Sequence, residues 1–357
     1  MAAGSGIASQ IVWKPETVYG VVPSPFTGFQ SIEFMNETLE LSKTTVQGSG
    51  LHAGGLYNRS KRRVVTNYDA GGAITMDLQT RSLNTMLFQM FGSYGQANAT
   101  LTQDGVTGAY KAIHYQGDYT GHSMCVQKGV PAIDGTVKPF TYVGGKITDW
   151  EISVATGALA QLVLTFDFRN ELGGAGNSDP LNGSVPALVT WANVSQGVFH
   201  FRQANLLTGT PTTSANVTSL TGATTLANIK SASVKNSVSY DNSRYFLGGG
   251  GFKAEPLQNG LSQISGTFVG EWLSNASYYN TFAADTALAI ELKFVGNSIG
   301  SGSDFETLDI LIPNVKLDGE SPKVGGPEVV TQSLNFTGLD DEANNVIQAT
   351  YWTLDTV

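Results

Sequence analysis

The chain has 357 residues, enough for two core-forming units, and its 41% hydrophobic and 10% aromatic residues exclude wholesale disorder. Only 14% of the residues are charged, whereas uncharged polar residues and 42 glycines abound, which is typical of short strands joined by turns. The net charge of −9 argues against a protein that grips nucleic acid, because such proteins neutralise phosphates with Lys and Arg.

The single cysteine and the hydropathy pattern exclude further classes. Cys125 alone can form neither an internal disulfide nor a thiolate metal site. The N-terminus lacks a basic region followed by an apolar one, so we expect no signal peptide. No apolar run reaches about 18 residues, so we expect no membrane helix.

The first half of the chain predicts strands around one helix. Residues 1–28 contain three prolines and are expected to form an irregular N-terminal arm. The apolar positions at 83, 86, 87, 90 and 91 have helical spacing, and Gly92 ends this helix. Period-two alternation predicts strands at about 29–41, 64–80, 106–115, 120–128, 140–154 and 160–169, with a polar, glycine-bearing loop at 44–63.

The second half repeats this order. A linker and a Thr/Ser-rich excursion are predicted for 173–228, with a hairpin candidate near Phe199 and an exposed stretch at 208–225. A second long loop, 242–260, contains four consecutive glycines, and a short helix is predicted for 275–284. Strands are predicted at about 229–241, 261–272, 286–295, 305–317, 328–338 and 346–354.

The matching order of elements predicts an internal duplication. The segments that begin at Gly72 and at Gly266 occupy equivalent places ahead of the helix in each half. We therefore divide the chain into an N-terminal arm (1–28), a first β unit (29–172), a linker with the excursion (173–228) and a second β unit (229–357).

Several short segments match catalytic or binding motifs, but the elements predicted around them argue against those functions. Residues 296–300 fit G-x-S-x-G, but a strand is predicted after them and all four histidines precede Ser298. Gly48 to Ala53 resembles G-x-G-x-x-A without a helix to follow, and the acidic turn 340–342 lacks the spacing of a calcium loop. Asp77 and Glu271 occupy matching places and are read as solvent-facing strand residues. We predict no enzyme activity, no catalytic residue, no metal and no cofactor.

One basic cluster stands out in this acidic chain. Arg59, Lys61, Arg62 and Arg63 lie together at the end of the first long loop. A nucleic-acid site would need a basic face or aromatic residues around them, so we interpret this loop as one that contacts an acidic protein surface.

An ordered series of segments resembles a known family. It comprises Glu-Thr-Val-Tyr-Gly (16–20), Phe-Gln-Ser-Ile-Glu-Phe-Met-Asn (29–36), Gly-Gly-Ala-Ile-Thr-Met-Asp-Leu (71–78), Met-Phe-Gly (90–92), Ser-Val-Lys-Asn-Ser-Val-Ser-Tyr (233–240), Gly-Thr-Phe-Val-Gly-Glu (266–271) and Leu-Asp-Ile-Leu-Ile-Pro-Asn-Val (308–315). The series is similar to tail tube proteins of phages with long non-contractile tails, particularly those that infect actinobacteria. It covers most of the chain except about 175–225.

The resemblance implies a mainly β fold. Two tandem tail-tube-like β-sandwich units, each with one flanking short helix, would contribute strands to an inner β-barrel formed by stacked rings. The protein would be a structural virion protein of the tail, assembled in the host cytoplasm. Its partners would be itself, the tape measure, tail terminator and distal tail proteins, and no membrane. DNA would pass through during genome ejection without specific binding.

The resemblance implies that the first long loop reaches toward the next ring, and the two long loops are expected to make the contacts between rings or between subunits. The contact residues that we predict are Gly50, Leu51, His52, Tyr57, Arg59, Lys61, Arg62, Arg63, Arg244, Tyr245, Phe246, Phe252 and Lys253.

The ring number follows from the same resemblance. One unit of this family closes a ring of six, so three chains with two units each would form a pseudo-hexamer. A true hexamer in which one half decorates the outside remains open. An alternative function is a β-sandwich adhesion or carbohydrate-binding protein on a virion or cell surface.

Overall fold

The computed structural model describes residues 4–92, 100–103, 108–173, 186–192, 197–274, 278–299, 304–319 and 321–356. The fold is mainly β, as predicted, with two short α-helices, α1 (Asn84–Phe91) and α2 (Asn280–Ala283). None of the described helices is long and apolar enough to cross a membrane. The strands up to the middle of the chain are β1 (Gln10–Pro15), β2 (Gln30–Ile32), β3 (Asn36–Glu37), β4 (Glu40–Gln47), β5 (Arg63–Asp77), β6 (Thr102–Gln103), β7 (Tyr110–Tyr115), β8 (Met124–Pro131), β9 (Val137–Ala155), β10 (Gln161–Phe168) and β11 (Asn170–Leu172).

The remaining strands follow the same pattern in the second half. They are β12 (Ala204–Ser214), β13 (Val217–Thr225), β14 (Ile229–Ser237), β15 (Tyr240–Asp241), β16 (Leu257–Gln258), β17 (Gln263–Glu271), β18 (Leu288–Ser298), β19 (Phe305–Gly319), β20 (Thr331–Gly338) and β21 (Gln348–Thr353).

Eight strands form one continuous antiparallel sheet, called the eight-stranded sheet below. Its order is β4, β5, β10, β9, β14, β17, β20 and β19. The two middle neighbours, β9 and β14, come from different halves of the chain, so backbone hydrogen bonds join the halves directly.

Two long strands leave this sheet and enter a second layer. The early part of β9 pairs with β8 and β11, and its later part pairs with β10 and β14. In the same way, the early part of β19 pairs with β18 and β21, and its end pairs with β20. The second layer is completed by β1, which lies between β8 and β2, by the β12–β13 hairpin beside β18, and by β7 beside β21.

The core lies between the two layers because alternate residues of each strand point inward. β10 shows this pattern along its whole length, with every second residue buried. The buried aromatic residues include Trp13, Trp150, Phe168, Phe268, Phe294 and Phe336. The helix α1 buries Met86, Leu87, Met90 and Phe91 against this core, and the indole of Trp150 donates to the carbonyl of Met90 over 3.3 Å.

Two glycines occupy equivalent positions in the two halves. Gly72 is opposite Phe166, and Gly266 is opposite Phe336. A Cβ at Gly72 would lie 2.4 Å from the carbonyl oxygen of Thr38, and one at Gly266 would lie 2.2 Å from that of Ser233. Both positions therefore need glycine for the close approach of the adjacent strand.

Three predictions outside the two units were wrong in detail. The N-terminal arm is not irregular throughout, because Gln10–Pro15 forms β1 between β2 and β8 and buries Trp13. The Thr/Ser-rich stretch is largely exposed, as predicted, but it is not irregular: it forms the β12–β13 hairpin, whose tip has positive φ at Ala215 and Asn216. The hairpin expected near Phe199 consists of isolated bridges and a 3-10 turn, while residues 174–180 of the linker lie outside the described residues.

The second helix is shorter than predicted. α2 covers Asn280–Ala283, and residues 275–277 of the predicted span lie outside the part of the chain that the structure describes. The predicted strands match observed ones apart from shifts at their ends and two divisions, of 29–41 among β2, β3 and the start of β4 and of 229–241 between β14 and β15.

Candidate functional site

One face of the eight-stranded sheet points away from the core and is polar. In β14, β17 and β20 the outward residues alternate with buried ones. Most of these outward residues have hydroxyl or amide side chains, namely Ser231, Ser233, Ser237, Ser265, Thr267, Thr331, Ser333, Asn335 and Thr337. A two-layer domain with one solvated sheet face would show this alternation, and the face is available to line a wall.

Acidic residues dominate the charge on this polar face. Of the outward side chains, Glu40, Asp69, Asp77, Asp149, Glu151, Asp167, Glu271 and Asp318 are acidic and Lys235 and Lys316 are basic. Lys253 of the second loop binds Asp69 and Asp167 on this face, which leaves six acidic residues against two basic ones. A phosphate backbone close to this face would therefore meet net repulsion.

The junction between β9 and β14 shows how one half recognises the other. Seven residues of β14, from Ser231 to Ser237, pair with β9 from Ala155 to Asp149. The hydroxyl of Ser237 donates to Asp149 over 2.6 Å, and the ammonium of Lys235 lies 3.8 Å from the same carboxylate. The junction thus combines a backbone ladder with a polar side-chain pair on the outward face.

Both ends of the eight-stranded sheet carry unpaired strand edges. From Glu40 onward, β4 pairs with β5 on one side and with no described strand on the other. The last residues of β19, from Lys316 to Gly319, pair with β20 alone among the described strands. Unpaired backbone donors and acceptors at such edges are sites where a further strand can add.

The second loop (242–260) packs on the first half of the chain. Its Lys253 is fully buried and binds the carboxylates of Asp69 and Asp167. The ring of Phe252 stacks on Tyr68 with a centroid distance of 5.4 Å, and the amide of Tyr68 donates to the carbonyl of Gly251 over 2.9 Å. These contacts make the second loop part of the interface between the halves.

A second charged contact reinforces this interface. Glu255 of the second loop lies 2.7 Å from the ammonium of Lys146, which is almost fully buried. Burial lowers the pKa of Lys146, and the nearby Glu255 opposes that shift. Burial likewise raises the pKa of Asp167, which Lys253 counteracts. Each buried charge thus has its compensating partner across the two halves.

The first loop (44–63) is exposed in the single chain. Residues 48–62 have no buried member, and the side chains of Leu51, Leu56 and Tyr57 are 99%, 91% and 88% exposed. The β4–β5 hairpin carries this loop away from the sheet. The protein therefore presents apolar and basic side chains on a projecting loop without a packing partner within the described residues.

The predicted contact residues fall into two groups. Those of the first loop are all exposed: Gly50, Leu51, His52, Tyr57, Arg59, Lys61, Arg62 and Arg63. Those of the second loop contact their own chain. Arg244 donates to the carbonyl of Glu255, and the hydroxyl of Tyr245 donates to the carbonyl of Tyr68. The ring of Phe246 is exposed and lies beneath the guanidinium of Arg244. The partners Tyr68, Asp69, Lys146, Asp167 and Glu255 were missed, because no local pattern marks residues that meet only in the fold.

Among the described residues, the motif at Ser298 lacks the strand–turn–helix context of a nucleophile elbow. Ser298 ends β18, and the next described element is the strand β19. No group of three or more His, Cys, Asp or Glu side chains in the described ranges could hold a metal ion.

The comparisons with known proteins agree with this architecture. Residues 6–338 match the family described as phage tail tube protein. No curated protein matches the chain. The family match covers nearly the whole chain and supports the tail tube function rather than the adhesion alternative. The chain therefore belongs to the phage tail tube protein family and is a structural protein of the virion tail that assembles into its tube.

Proposed function

We propose that three copies of this chain close each ring of the tube, with the eight-stranded sheet of every copy forming one third of the inner barrel. The observation that carries this proposal is the β9–β14 pairing, which places strands of both halves in one continuous sheet. If both halves line the lumen, the two units of one chain take the places of two subunits in a pseudo-hexamer.

The two sheet edges supply the contact between chains. The end of β19 occupies the position in the second half that β9 occupies in the first, and β4 corresponds to β14. Pairing of the β4 edge with the β19 edge of the next chain would repeat the internal junction. Such pairing closes the sheet on itself and leaves no unpaired edge.

Barrel geometry favours three chains over six. Three chains supply 24 strands, which at about 4.8 Å spacing and about 40° tilt give a barrel about 50 Å across. Six chains with both halves in the wall would double this width to about 100 Å. The narrower barrel leaves a channel for a DNA duplex after the side chains of the wall are subtracted.

The polar, acidic face is the proposed lumen wall. Its hydroxyl and amide groups bind water, and its excess of carboxylates repels phosphate. DNA would therefore slide without sticking, and we propose a structural role without catalysis or cofactor. The resemblance to tubes of long non-contractile tails extends the proposal to the tape measure, tail terminator and distal tail proteins as partners.

A proline in the β4 edge tests the contact between chains. The amide of Thr38 donates to Ala73 in β5, and alternation then points the amide of Lys43 away from β5. Lys43→Pro removes that outward donor, whereas Lys43→Gln removes only the charge and is the matched control. We expect Lys43→Pro to remain folded by circular dichroism but to form no rings in electron micrographs, while Lys43→Gln assembles. Normal tubes from Lys43→Pro would contradict the edge pairing.

A further inference from the structure

The exposed first loop faces the neighbouring copy if the ring of tandem units proposed above is correct. We propose that the first loop of one copy docks laterally on the second half of the neighbouring copy in the same ring. Its seat, called the second-half seat below, consists of Leu261, Gln263, Thr337, Leu339 and Asp340. The partner is thus a second copy of this chain, and the contact closes the ring rather than stacking one ring on the next.

The second loop provides the template for this contact. It leaves the second half and packs on the first half of its own chain, over residues 66–69 and 167–169. Lys253 binds Asp69 and Asp167, Phe252 lies over Tyr68 and Arg169, and a Cβ at Gly251 would meet the carbonyl of Thr66 at 2.6 Å. A loop of one unit therefore already covers the adjacent unit across the β9–β14 junction.

The two loops start and end at matching positions. Ser42 is paired with Asp69, and Ser237 with Gln263. The segments between these pairs, 43–68 and 238–262, contain 26 and 25 residues, and in the first half the ends of the segment continue the β4–β5 ladder to Gln47 and Arg63. The first loop can therefore span the same distance as the second, but the unit that it would cover belongs to the next chain.

The second-half seat follows from the register of the strands. Because Gly266 and Phe336 match Gly72 and Phe166, the residues that match Asp69, Asp167 and Arg169 are Gln263, Thr337 and Leu339. The backbone is similar at this point, although shifted by one residue, since the amide of Arg169 donates to Val143 of β9 and that of Leu339 to Asn314 of β19, each over 2.9 Å.

The second-half seat and the first loop are complementary in chemistry. The seat has two exposed leucines, Leu261 at 96% and Leu339 at 42% exposure, which match the exposed apolar residues of the first loop. Asp340, Asp341 and Glu342 follow directly after Leu339, whereas the loop ends in a run of basic residues. Docking would bury apolar surface and bring opposite charges together.

Zero-length cross-linking of lysine to carboxylate tests the contact in the unmodified protein. In assembled tubes treated with a carbodiimide, we expect mass spectrometry to find Lys61 joined to the segment 340–342 of another copy. The same link should form in isolated single rings, because the contact is lateral. Tubes in which Lys61 links only to other segments, or only when rings are stacked, would overturn the inference and leave the tube function intact. Absence of any ring or tube would instead overturn the proposed ring itself.

Charge reversal gives a second readout. Lys61→Glu/Arg62→Glu in the first loop, or Asp340→Lys/Glu342→Lys at the second-half seat, should each lower the fraction of protein in rings at least tenfold. Combining all four changes in one chain should restore most of that fraction. Arg202→Glu, at an exposed position away from both surfaces, is the control and should assemble. Failure of the combined variant to recover, with the native fold retained by circular dichroism, would count against pairing between these two segments.

Discussion

Lys253 is the residue that most directly joins the two halves. Its ammonium is fully buried between Asp69 and Asp167. Removing it would leave the largely buried carboxylate of Asp167 without its charged partner. We expect Lys253→Met to lower the free energy of unfolding by about 3 kcal/mol, measured by urea titration. Lys61→Met, in the exposed first loop, is the control and should change it little. Adding Asp167→Asn to Lys253→Met should recover part of the loss, and no recovery would contradict the pairing.

His114 makes the fold sensitive to acid. It is buried in β7 with a ring nitrogen 2.9 Å from the side-chain oxygen of Asn84, and burial lowers the pKa of His114 to about 3. The unfolded chain takes up this proton at a pKa of about 6.5, so stability is lost as the pH falls from about 6.5 toward about 3. His114→Gln should flatten this dependence in thermal melts, while His52→Gln, in the exposed loop, should not. An unchanged pH profile in His114→Gln would show that this histidine does not control acid stability.

The two long loops have opposite roles in the single chain, although they occupy equivalent places. Deleting residues 50–58 of the first loop removes only exposed residues, so we expect an unchanged melting temperature and a loss of assembly. Deleting residues 246–252 of the second loop removes the Phe252 stack and Gly251, so we expect a lower melting temperature. Equal melting temperatures for the two deletions would contradict the packing difference between the loops.

Elements with a clear period could be predicted from the sequence, and contacts between distant segments could not. β10, β18 and α1 were predicted because one face of each is apolar along most of its length. The pairing of the Thr-rich strands β12 and β13 could not be predicted, because a hairpin with two polar faces resembles a loop in composition. Lys253 gave no local sign of its burial, because its partners lie 184 and 86 residues away in the chain.

At the scale of the whole molecule, the charge of the proposed lumen wall should determine how strongly the tube binds DNA. The proposed wall carries more carboxylates than ammonium groups, and the proposed lateral contact would place the basic first loop against protein. We expect assembled tubes to bind duplex DNA weakly, with little dependence of affinity on salt between 50 and 200 mM. A steep loss of affinity over that range would show that basic side chains face the channel.

The ring number tests the central claim that both halves line one barrel. Native mass spectrometry of isolated rings measures it directly, because the 37.8 kDa chain gives well-separated masses for different copy numbers. The tandem arrangement predicts three chains per ring, and end-on views averaged in electron microscopy should then show true three-fold symmetry. A ring of six chains would contradict it and would place one half of every chain outside the wall.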